Sequence, residues 1–107
     1  MTLNQIRNEL KDIRYYYARQ SVFDKASLSL GKNAITDRIE VYNEIIKNAP
    51  PRIFDLYVSL YMQNHTQESL GEKLGYSIET ISRLNNQLLR YLLKEFEKKG
   101  DVKNEEN

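Results

Sequence analysis

The sequence predicts an all-α protein of about five helices, in which a C-terminal helix-turn-helix with a long last helix packs on a central apolar helix. Three observations predict it. Apolar residues recur at spacings of three and four along most of the chain. Only four Gly and two Pro occur in 107 residues, which leaves little turn chemistry and favours long helices. The segment from Pro51 to Gln63 is apolar nearly all round, as a helix at the centre of a bundle must be.

The first helix is expected over about Leu3 to Gln20, where Leu3, Ile6, Leu10, Ile13 and Tyr17 form a heptad-like stripe. Arg7, Lys11, Asp12 and Arg14 take the other face. The run is too short for a coiled coil by itself, so the stripe needs a partner, either the rest of the chain or a second copy. Phe23 and Ala26 extend the helical pattern towards a break at Gly31, and residues 21–33 otherwise read as a connector.

The next helix runs from about Ile35 to Asn48, with Ile35, Ile39, Tyr42, Ile46 and Ala49 as its apolar stripe. It stops at Pro50 and Pro51, because a proline disfavours a helical residue before it. Pro51 in turn suits the first turn of the following helix. That helix carries Ile53, Phe54, Leu56, Tyr57, Val58, Leu60, Tyr61 and Met62, and reads as the hub. A short helix over Thr66 to Lys73, a turn at Gly75 and a long helix from about Ile78 to Lys98 complete the order. Residues 1–100 thus form one helical domain, with an N-terminal helix and connector at 1–33, a core at 34–100, and the helix-turn-helix at 66–87. A disordered acidic tail is expected over 101–107.

Cysteine is absent, which excludes disulfides and thiolate metal sites. No apolar run approaches the roughly 18 residues of a membrane span, and no signal-peptide core is present at the N-terminus. A soluble cytoplasmic protein with no membrane partner is expected. The net charge is only +1, so any nucleic-acid binding must rest on where charges are placed. Residues 1–65 carry nine Lys/Arg against seven Asp/Glu, residues 66–100 six against five, and the tail one against three.

The stretch with most information is Thr66-Gln-Glu-Ser-Leu-Gly-Glu-Lys-Leu-Gly-Tyr-Ser-Ile-Glu-Thr-Ile-Ser-Arg-Leu84. Thr66 is placed to cap the first helix, with Glu68 in its positive first turn. Leu70 and Leu74 are expected to point inward. Gly71 falls where the two helices cross and only a small residue permits the approach. Gly75 supplies a left-handed turn, Ser77 caps the second helix, and Ile81, Leu84 and Leu88 form its buried stripe.

This pattern resembles the general bacterial helix-turn-helix, and the run from Ser77 to Arg83 is similar to the start of a repressor-type recognition helix. The resemblance implies that the second helix enters the major groove of double-stranded DNA. Ser77, Ile78, Glu79, Ser82, Arg83 and Asn86 point away from the buried stripe. Arg83 suits guanine or a phosphate, Asn86 adenine, Glu79 the cytosine amino group, and Ile78 a thymine methyl. Gln67, at a helix N-terminus, is placed to hold a phosphate, and Lys73 and Arg90 add phosphate contacts.

Pro50 to Phe96, a hub followed by this motif, is also similar to the promoter-reading C-terminal domain of bacterial sigma factors. Across the whole chain, Ile13-Arg-Tyr-Tyr-Tyr17, Asn48-Ala-Pro-Pro51, Leu56-Tyr-Val-Ser-Leu-Tyr61 and Thr66 to Tyr76 resemble the small ArpU-type phage transcriptional regulators of Gram-positive bacteria and their prophages. That resemblance implies control of phage late genes, or of a host lysis gene, from promoter DNA inside the bacterial host.

Other signals are weaker. Tyr15, Tyr16 and Tyr17 read better as packing residues than as base-stacking ones. His65 is the only histidine, so no metal site is expected, and no cofactor either. Glu68 and Glu72 read as a solvated face. No nucleophile with a matched base marks an enzyme. A homodimer is expected, through the N-terminal stripe or the last helix, to read two half-sites. Two alternatives stand beside the regulator: a small phage packaging subunit of terminase type, and a protein-only adaptor that docks on RNA polymerase.

Overall fold

The structure, a computed structural model, describes the backbone of residues 1–25 and 34–106 and the side chains of 1–20 and 34–99. Helix α1 spans Leu3–Lys25 and opens on a capping box. The Gln5 amide donates to Thr2 Oγ1 at 3.1 Å, and the Thr2 amide donates to Gln5 Oε1 at 2.7 Å. Ile6, Leu10 and Ile13 are buried as their spacing requires, while Leu3 and Tyr17 lie at the edge of the core.

Helix α2 spans Ala34–Lys47 and buries Ile39, Tyr42, Ile45 and Ile46. Ile45 widens the expected stripe. Ile35 and Ala49 are only partly buried. At the double proline, Pro50 is extended (φ −54°, ψ 146°), and its carbonyl accepts the Phe54 amide at 3.0 Å. Helix α3 therefore starts at Pro51 and runs to Tyr57, continued by a π-helical turn over Val58–Met62. The Gln63 amide donates to the Val58 carbonyl at 2.8 Å, one residue further back than in an α-helix. Asn64 then ends the hub in the left-handed region (φ 62°), a conformation asparagine tolerates better than most residues.

The hub expectation holds: α3 and its π-turn pack against α1, α2, α5 and α4, the last, Gln67–Leu74, crossing the π-turn. Ile53, Leu56, Tyr57 and Leu60 are buried, but Phe54 keeps 41% of its surface. A helix that is apolar all round is thus not buried all round here, because α2 leaves part of this face uncovered. Helix α5 spans Ile78–Glu106 and buries Ile81, Leu84, Leu88, Leu89 and Leu92. The expected end near Lys98 is passed. Gly100 weakens a helix by roughly 1 kcal/mol relative to alanine but does not remove a backbone donor as proline would. Residues 101–106, expected as a disordered tail, form the last turns of α5 instead.

Polar groups within this core are paired. The Tyr42 hydroxyl donates to Glu9 Oε1 at 2.7 Å, and Arg38 approaches Glu9 at 3.8 Å and Asp12 at 3.3 Å. Tyr57 donates to Asn43 Oδ1 at 3.2 Å, and the Asn43 amide donates to Tyr17 at 3.4 Å. Tyr17 is thus part of the packing scheme. Tyr16 meets it edge-on, and the exposed Tyr15 lies under the Arg19 guanidinium at 4.4 Å.

Of the α1 and α5 stripes, expected to be wide enough to serve a second copy, Ile6, Leu10, Ile13, Leu88, Leu89 and Leu92 are buried in the chain's own core, while Leu3, Tyr17, Leu93 and Phe96 are only partly buried. The large apolar side chains left exposed include Val41 and Phe54 on α2 and α3, and Leu74, Tyr76 and Ile78 around the α4–α5 turn. Among the described residues, no helix is long and apolar enough to cross a membrane.

Candidate nucleic-acid interface

Short-range chemistry fixes the path from α4 into α5. Thr66, in extended conformation, caps α4: its Oγ1 accepts the Ser69 amide at 2.9 Å, and Ser69 Oγ accepts the Thr66 amide at 3.1 Å. The reciprocal partner is Ser69, so the box is a serine version of the usual Thr-x-x-Glu pattern. Gly75 follows the helix at φ 74°, in the left-handed region. Its neighbour Tyr76 donates its amide to the Gly71 carbonyl at 2.8 Å, closing the turn. Ser77 caps α5 by accepting the Thr80 amide at 3.2 Å.

Gly71 is crowded as expected, but by the turn at Tyr76 rather than by the crossing helix. A Cβ there would stand 2.7 Å from the Tyr76 carbonyl oxygen and 3.5 Å from Ile81 Cγ1. Leu70 is buried at 3% exposure, but Leu74, expected inward as well, is 50% exposed. Gly75 turns the chain immediately after it, so no further turn of α4 covers this side chain.

The candidate site residues divide by environment. Glu79, Arg83, Asn86 and Arg90, spaced by four, three and four, share one face of α5, and all are exposed. Ser77 and Ile78 are exposed at its start, with Ile78 at 55%, and Ser82 is half-buried at the stripe's edge. Among the described residues, no hydrogen bond or ion pair holds the Arg83 or Arg90 side chain. Gln67 is half-buried as the first residue of α4.

Lys73 is exposed but stands apart. It lines a cleft with Arg52, Asp55 and Ser59 of the hub and with Tyr76, and does not join the Asn86–Arg90 stripe. Asn86 and Arg90 meet α1 instead, sharing a shallow groove with Leu3, Arg7 and Leu89. Arg7 and Arg52 were not among the expected site residues. Arg7 falls on the expected polar face of the first helix and Arg52 carries no expectation, and nothing in the sequence says which helix lies beside either. The acidic Glu68, Glu72 and Glu79 are exposed near the same motif.

Among the described residues, no group of three or more His, Cys, Asp or Glu is placed to hold a metal ion. Comparison with protein-family models, with curated proteins and with solved structures returned no match.

Proposed function

We propose that this protein is a sequence-specific DNA-binding transcriptional regulator of phage or prophage type, reading the major groove with the start of α5. The observation that carries the reading is the exposed stripe Glu79–Arg83–Asn86–Arg90 behind a capped, glycine-turned helix pair. Glu79, Arg83 and Asn86, which can each pair with a base edge, stand on one face with Arg90, which can reach a phosphate, and among the described residues the two arginines have no partner within the chain. Duplex DNA supplies acceptors for them, while Ser77 and Gln67 sit at helix starts where backbone amides favour a phosphate. A homodimer belongs to this reading, since two copies would read half-sites about one DNA turn apart. Its contact would use what α1 and α5 leave partly exposed, Leu3, Tyr17, Leu93 and Phe96 among them, and light scattering at high concentration tests it.

The test of the function is a mobility shift on fragments from the gene's own genomic neighbourhood, using the wild type, Arg83→Ala and Asn86→Ala. A sequence-selective shift that the variants lose supports the reading. No shift on any fragment at low salt overturns it.

A second reading, a protein-only adaptor on RNA polymerase, is favoured by the half-exposed Leu74 and Tyr76 and by the acidic residues near the motif. In that case Arg83→Ala would leave function intact and charge substitutions at Leu74 or Tyr76 would abolish it.

A further inference from the structure

Between Arg7 and Arg14, helix α1 sorts its charges by side. In that stretch the acids Glu9 and Asp12 face α2, where Arg38 neutralises both. The bases Arg7, Lys11 and Arg14 of the same stretch, spaced by four and three, share another face and meet no acid among the described residues. Arg14 donates to the Asn64 carbonyl at 3.3 Å, at the end of the hub. Lys11 and Arg14 line one depression with Asn64, and Arg7 lines the next with Asn86 and Arg90 of α5. Burial raises the Tyr61 hydroxyl above its ordinary pKa, while Asn85, Arg14 and Arg7 work against the rise. Both guanidiniums therefore lie near the junction of α1, the hub and α5.

The basic face of α1 is thus continuous with the exposed face of α5. We propose that α1 is a second DNA-contacting element, in which Arg7 and Arg90 hold a backbone phosphate between them and Lys11 and Arg14 follow the same strand onto α1. The inference rests on the DNA-binding reading and adds to it a named phosphate track.

Dimensions favour a phosphate over a base or a small ligand. The groove between Arg7 and Arg90 holds about 100 Å³, below the roughly 300 Å³ at which ligand pockets begin. Arg90 lies seven residues beyond Arg83, about 10 Å along the helix. With Arg83 in a major groove about 12 Å wide, Arg90 stands at the rim, where the backbone runs. Two guanidiniums without a carboxylate between them repel each other, and a phosphate removes that repulsion with charge-assisted bonds.

The test is fluorescence anisotropy with a labelled random-sequence duplex over a salt series. Wild type is compared with Arg7→Gln, Lys11→Gln, Arg7→Lys and a control, Lys47→Gln on α2. Circular dichroism melting confirms that each variant is folded. Arg7→Gln and Lys11→Gln are expected to weaken binding on every duplex, each reducing the salt slope by about 0.9 for every phosphate that is no longer neutralised. Arg7→Lys should keep most of the slope and Lys47→Gln all of it. If Arg7→Gln binds with wild-type affinity and slope while Arg83→Ala weakens binding, the phosphate track is overturned and the DNA reading stands. If Lys47→Gln loses as much as Arg7→Gln, the effect is one of net charge and the track is again overturned. If the wild type binds no duplex at any salt, the DNA reading falls and the track with it.

Discussion

Gly71 lies directly against the backbone of Tyr76: a Cβ on Gly71 would come within 2.7 Å of the Tyr76 carbonyl oxygen. The obstacle is main chain held by the turn's own hydrogen bond, so it has little freedom to withdraw. Gly71→Ala gains up to about 1 kcal/mol of helix propensity and must then push α4 off the turn at Tyr76. Overpacking of this kind costs about 1–3 kcal/mol, and the net effect is expected to be destabilising. Urea unfolding gives the sign, and a variant more stable than wild type would show that the close approach does not constrain the motif.

Gly71 was legible in the sequence because its position demands a residue type, a small one, though what crowds it is the turn's carbonyl and not the crossing helix. Gly75, Thr66 and Ser77 were legible for the same reason, each tied to a backbone conformation or an unpaired amide. Leu74 was not. Its spacing from Leu70 fits a buried stripe, but burial needs a neighbour, and α4 ends before one arrives. The π-turn at Val58–Met62 has no residue signature, since it answers to packing between α1, α4 and the hub. The Arg7–Arg90 groove was hidden because it joins residues far apart in the chain through a helix pairing that no local pattern encodes.

The two leucines of α4 are expected to separate by energy as they do by exposure. Leu70→Ala removes a buried side chain and should cost about 2–5 kcal/mol. Leu74→Ala removes one that is half in solvent, and its cost should be within about 1 kcal/mol. Thermal or urea unfolding of both variants decides the matter. Equal losses would mean that Leu74 is covered in solution, either by a movement of α4 or by a second copy.

Alkaline pH should unfold this protein. Burial, assisted for Tyr42 by the Glu9 carboxylate that accepts its hydroxyl, raises Tyr42 well above the ordinary value of 10, and burial likewise raises Tyr57. Tyr61 is raised too, with burial again the main cause. Below pH 10 these hydroxyls are protonated in both states and add no pH dependence. Above it the unfolded chain loses protons that the folded chain keeps, so the unfolded state binds fewer, and stability falls as pH rises. Each tyrosine held protonated contributes a slope of about 1.4 kcal/mol per pH unit until its folded pKa is reached. Melting temperatures measured upward from pH 9 should drop steeply beyond pH 10, and Tyr42→Phe should flatten that drop. A melting temperature insensitive to pH in this range would contradict the burial of these hydroxyls.

Glu79 distinguishes the two ways in which the α5 stripe could use DNA. It shares an exposed face with Arg83, Asn86 and Arg90, and on the proposed reading it sits in the groove. There a carboxylate is repelled by the phosphates of any sequence but accepts a hydrogen bond from a cytosine amino group where one is presented. Glu79→Gln keeps the size and removes the charge. Near a phosphate, one repulsion in a water-like dielectric is about 1 kcal/mol, which corresponds to about fivefold in affinity at low salt. Random duplexes should therefore bind about fivefold more tightly, while the best genomic fragment gains less, so the ratio between them shrinks. Competition assays with both duplexes read that ratio directly. An unchanged affinity for random DNA, in a protein that still responds to Arg83→Ala, would place Glu79 outside the groove and shift the reading helix's contact towards Arg83 and Arg90.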